Sequence, residues 1–138
     1  MGSVWGVAAC ALIIASVLLI WKDKERFEQC HKWMMYTMVG GGWLFVLLYF
    51  AGYYFRSEPV DVPRSLVPWF AVHGTLALVA LLGATLLLAT RDTSDRGFFP
   101  GTGLIDRLNN RHRLYGTVVA LLWLFTHIGG IVNLYLLR

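Results

Sequence analysis

Four histidines carry the chemistry open to this chain. His73 and His127 stand inside long apolar segments, about seven residues from Leu66 and ten from Leu137, and His31 and His112 each stand two residues before such a segment begins. An imidazole within an apolar segment is costly in a bilayer and is by default functional. At 1.5 Å per residue, His73 and His127 lie roughly 10 and 15 Å from the ends of their segments, so they can face one another. His112 and His127 are fifteen residues apart on one segment, which leaves an offset of about 60° on a helix, and both can address one side. Gly116 and Gly130 remove side-chain bulk beside these two histidines. Two axial imidazoles from neighbouring helices, with glycine nearby to admit a macrocycle, are what a protein contributes to a b-type haem site in a membrane bundle. The residues predict one haem b on His73 and His127, or two with a second on His31 and His112, and the second site requires the helices of His31 and His112 to be neighbours. Two stacked sites would carry electrons across the bilayer.

Plainer and rival readings stand beside this one. A neutral imidazole hydrogen-bonded across helices needs only a partner such as Thr75, Thr126 or Asn133, and headgroup-level histidines are ordinary in the settings Gln29-Cys30-His31-Lys32 and Asn110-Arg111-His112-Arg113. Copper is the rival metal: Cys30, His31, Met35 and Met38 offer soft sulfur and imidazole donors, with 31, 35 and 38 along one helix face. No CxxCH motif is present, which excludes covalent c-type haem. No phosphate loop or nucleophilic triad occurs, and no Asp or Glu lies within an apolar segment, which argues against a proton relay built on intramembrane acids.

The elements that must position these residues are four apolar segments, Val4 to Trp21, Trp33 to Phe55, Leu66 to Thr90 and Leu114 to Leu137. Each approaches or exceeds the roughly 20 residues needed to cross a hydrocarbon core of about 30 Å. With 57% hydrophobic residues in 138 and a mean hydropathy of +0.59, four spans and three loops leave no room for a soluble domain. The expectation is an all-α, four-helix transmembrane bundle forming one domain over residues 1–138. The first segment reads as retained, because no basic residue precedes it and Trp21-Lys22-Asp23 follows where a small-residue cleavage site would stand.

Charge distribution predicts orientation. Lys22, Lys24, Arg26 and Lys32 fall between the first two segments, and Arg91, Arg96, Arg107, Arg111 and Arg113 between the last two. The middle loop holds only Arg56 and Arg64, balanced by Glu58 and Asp61. By the positive-inside rule both termini face outward, in what reads as a prokaryotic cytoplasmic membrane. The formal charge of +4 and the pI near 9.3 do not imply nucleic acid, since the cations are split between juxtamembrane loops. Cys10 and Cys30 form no disulfide framework.

Local signals refine the picture. Trp5, Trp21, Trp33 and Trp69 mark the interfaces, whereas Trp43 and Trp123 lie deeper and need acceptors for their N–H groups. Gly40-Gly41-Gly42 within the second segment points to a close helix crossing, or to a backbone face opened for a flat cofactor. Pro59 and Pro63 hold the middle loop in a tight extended turn. Gly97, Pro100, Gly101 and Gly103 break the last loop, after which Leu104 to Leu114 can restart a helix below the membrane, with Asp95 and Asp106 as candidate caps.

Taken together, Cys30-His31-Lys32-Trp33-Met34-Met35, Phe70-Ala71-Val72-His73, Arg111-His112-Arg113-Leu114 and the closing Gly129-Gly130-Ile131-Val132-Asn133-Leu134-Tyr135-Leu136 resemble the CtaM-like family of small four-helix membrane proteins over about residues 5 to 138. That family is linked to maturation of haem–copper oxidases. The resemblance implies roles for His31, His73 and His112, and His127 is an addition to the pattern. The reading is a b-type haem-binding membrane protein acting in electron transfer within a respiratory or related complex, in contact with other membrane subunits. An assembly factor handling haem or copper for an oxidase, and an accessory subunit whose histidines only pack, are the alternatives; an electron carrier or assembly protein fits better than a stand-alone enzyme.

Overall fold

The computed structural model describes residues 2–55, 62–95 and 103–136. The loop residues Arg56 to Asp61, with Arg96, Gly97, Pro100, Gly101, Leu137 and Arg138, lie outside the described residues. Apart from short joints, the described residues are helical: α1 (Gly2–Lys22), α2 (Lys24–Tyr54), a single 3-10 turn (Arg64–Leu66), α3 (Val67–Asp95), α4 (Gly103–Asn110) and α5 (His112–Leu136). Four of these are long and apolar enough to span a bilayer, over Val4–Lys22, Lys24–Gly52, Arg64–Arg91 and His112–Asn133.

The boundaries differ from the sequence expectation in one place that matters. α2 begins at Lys24, nine residues before Trp33, because Asp23 caps it by accepting the Arg26 amide at 3.1 Å. A single residue thus joins α1 to α2, and His31 sits in the third turn of a continuous helix instead of on a loop. α5 likewise opens at His112, separated from α4 by Arg111 alone. Asp95 is the last residue of α3, and Asp106 lies in the first turn of α4. Pro63 accepts the Leu66 amide at 2.8 Å and so starts the turn into α3.

The four long helices run antiparallel around a square. α1 packs between α2 and α5, and α3 packs along α5 and more lightly on α2, so α2 and α5 occupy opposite corners. One end of the square carries Lys22, Lys24, Arg91 and Arg113 and is called the basic end below. The core is Ala9, Ile13, Met38, Val39, Ala80, Leu81, Ala84 and Trp123. Small residues allow the close crossings, as expected where van der Waals packing drives helix association. The Trp5 ring lies on Gly41, a Cβ on Gly42 would come within 2.9 Å of Leu81, and one on Gly83 within 3.0 Å of Val119. The glycine triplet therefore serves a helix crossing, with Gly40 facing open space. Outward, Leu18, Leu47, Leu82 and Leu121 are exposed on separate helices, an apolar circumference suited to lipid contact.

Several polar side chains of the interior are paired within or between helices. Trp43 donates from Nε1 to Thr85 Oγ1 at 3.0 Å, and Thr85 in turn donates to the Leu81 carbonyl at 2.7 Å. Trp69, expected at an interface, donates to the buried Asn133 Oδ1 across α3 and α5. Cys10 and Cys30 are free, the first half-buried and the second exposed.

Candidate cofactor cavity

A cavity of about 460 Å³ opens among the helices toward the basic end, within the roughly 300–1,000 Å³ typical of ligand pockets. Its deep wall is apolar, built from Ile13, Val17, Met35, Leu87, Val119 and Trp123. His31 from α2 and His112 from α5 both line it, so two imidazoles from opposite corners reach one space. The sequence expectation required their helices to be neighbours; α2 and α5 instead stand at opposite corners of the bundle, and each contributes its histidine to the lining of the same cavity. His112 lies within electrostatic reach of His31, Arg91 and Lys24.

Each imidazole has a defined setting. Ser16 Oγ on α1 lies 2.7 Å from His31 Nδ1, and the Ser16 carbonyl faces the same nitrogen at 3.4 Å. A carbonyl only accepts, so this pair favours a proton on Nδ1 and a lone pair on Nε2, the state in which imidazole binds a metal. His112 Nδ1 is buried without a hydrogen-bond partner among the described residues, a cost that a bound group can offset. Gly116, one turn beyond His112, also lines the cavity, and a Cβ there would meet nothing within 4 Å.

His73 and His127 form a second and different cluster. They come from the adjacent helices α3 and α5, and His127 lies within electrostatic reach of His73. The His127 Nδ1–H donates to the Trp123 carbonyl at 2.8 Å, leaving Nε2 free, while its ring tilts against Trp123 at 6.0 Å. His73 stacks on Trp69 with ring centroids 6.3 Å apart, and its ring edge lies on the backbone of Gly129, where a Cβ would stand 2.9 Å from Nδ1. Its Nδ1 is buried and unpartnered among the described residues. Neither histidine lines the large cavity. A Cβ on Gly130 would stand 3.9 Å from His73 Nε2, an ordinary contact. The partners expected from sequence go elsewhere: Thr75 and Thr126 donate to the carbonyls of Ala71 and Trp123, and Asn133 accepts from Trp69.

The copper donors are not gathered. Cys30 is exposed, Met38 is fully buried in the core, and only His31 and Met35 share the cavity. Among the described residues no group of three or more His, Cys, Asp or Glu side chains is arranged to hold a metal ion. Sequence reasoning missed Ser16, whose only signal was a small polar residue within an apolar span, and the cationic rim made by Lys24, Lys32, Arg91 and Arg113 around the cavity.

A scan against protein-family models and searches of curated proteins and of solved structures found no match.

Proposed function

We propose that this integral membrane protein binds haem b in the cavity at the basic end, with His31 and His112 as axial ligands, and serves electron transfer within a respiratory or related membrane assembly. The observation that carries the proposal is that two histidines from opposite corners of the bundle line one apolar cavity of about 460 Å³. The Ser16 contacts favour the His31 tautomer that offers Nε2, Gly116 leaves space beside His112, and Ile13, Leu87 and Val119 make the cavity wall apolar. The bound haem would supply one-electron redox chemistry at its iron. His73 and His127, with their own orienting contacts, are the candidate pair for a second haem toward the other end, which would need α3 and α5 to part at Gly129.

The proposal is tested by purifying the full chain and recording its oxidised and dithionite-reduced spectra with a pyridine haemochrome count. A sharp low-spin b-type spectrum with one haem per chain is the expected result, two haems would add the second pair, and a colourless protein that also fails to take up added haem overturns the proposal.

A second reading keeps the same cavity but makes its ligand transient, as the likeness to CtaM-like proteins implies. It is favoured by the exposure of Lys24, Asn110 and Arg113, which line the cavity at the surface of the bundle and give a ligand a short way out. Here a deletion strain would lose haem–copper oxidase activity while retaining other haem enzymes.

A further inference from the structure

The cavity is apolar at depth and cationic at its mouth. Lys24, Lys32, Arg91 and Arg113 line it at the basic end, and the one carboxylate that lines it among the described residues, Glu28, is held by Arg91 at 3.1 Å. Arg113 is steered to this place by the Trp21 ring, over which its guanidinium lies 5.4 Å from the centroid. A ligand matched to this lining has a broad apolar body and an anionic end. We infer that the mouth recognises the two propionates of a tetrapyrrole, Arg113 and Lys24 receiving them, so that the macrocycle enters with its carboxylates toward the basic end.

This inference rests on the haem reading and adds to it which chemical feature of the ligand is selected. Guanidinium and carboxylate form paired, charge-assisted hydrogen bonds, and an ammonium adds a second charged donor beside them. The Arg91–Glu28 pair is partly exposed on both sides, so it is weakly held and can yield to a propionate. The apolar wall alone would bind an esterified tetrapyrrole as well as the free acid. The cationic mouth makes the difference.

The test is an absorbance titration of the purified full chain in neutral detergent with ferric haem b and, separately, with its dimethyl ester. Haem b is expected to bind about tenfold or more tighter than the ester, the usual weight of a hydrogen bond to a charged group. Arg113→Gln combined with Lys24→Gln should remove most of that preference while leaving ester affinity unchanged, which also shows that the variant folds. Arg26→Gln, at an exposed cation outside the cavity lining, should retain the preference. Equal binding of acid and ester by the unaltered chain overturns the inference and leaves the haem reading standing. So does a preference that survives the double substitution. Loss of the preference when anionic phosphatidylglycerol is added would assign the cations to lipid phosphate and equally overturn it. If neither tetrapyrrole binds, the haem reading falls and takes the inference with it.

Discussion

Ser16 Oγ on α1 lies 2.7 Å from His31 Nδ1 on α2. Ser16 is wholly buried, and its contact fixes a side chain that must project from one corner of the bundle into the cavity. Removing such an orienting partner commonly lowers metal affinity by about 10–100-fold. Ser16→Ala should therefore weaken haem binding by about tenfold, with Ser16→Thr retaining most of it. Equal affinities for the alanine variant and the parent chain in a haem titration would show that the contact only packs.

Gly116 lines the cavity and has open space where a Cβ would stand. Alanine should be accepted there, with stability unchanged or raised by up to about 1 kcal/mol, since glycine is the poorer helix former. Gly116→Leu should fill the cavity and abolish uptake of added haem while thermal unfolding in detergent stays near that of the parent. Normal uptake by the leucine variant would place the ligand elsewhere.

Gly129 presents the contrary case, because a Cβ there would stand 2.9 Å from His73 Nδ1 and 3.2 Å from Cε1. Gly129→Ala should push α3 from α5 and destabilise the fold by about 1–3 kcal/mol. Gly130→Ala, at 3.9 Å from the same ring, should cost little. Thermal unfolding of the two variants in one detergent separates them, and matching transitions would show that the His73 ring simply swings aside.

The fold class was legible because span length and composition are set by the bilayer, and the four apolar segments could hardly be read otherwise. The Gly40–Gly42 crossing was also legible, since glycine in a span has few uses besides close approach. The start of α2 was not, because Gln29, Cys30 and Lys32 look like loop residues until Asp23 is seen to cap the helix before them. Sequence depth favoured His73 and His127 as the principal pair. What depth could not convey is lateral position: those two sit on adjacent, tightly packed helices, whereas His31 and His112 sit across a cavity. Which helices become neighbours depends on packing among all four, and spacing along one of them carries no record of it.

Orientation is a separate expectation, resting on the cations gathered at one end of the bundle against the few in the loop at the other. A reporter active only after export, fused beyond Arg138, should be active, and one requiring the cytoplasm should be silent. The reverse pattern would place the cavity mouth on the outer face.

The central claim is that His31 and His112 ligate one haem, and the most direct measurement is the low-temperature electron paramagnetic resonance spectrum of the oxidised protein compared across four single alanine variants. The account predicts a low-spin ferric signal that is lost, or converted to high spin, in His31→Ala and in His112→Ala. In a chain carrying one haem the same signal should persist in His73→Ala and His127→Ala. A signal unaltered by replacing either His31 or His112 would contradict the claim.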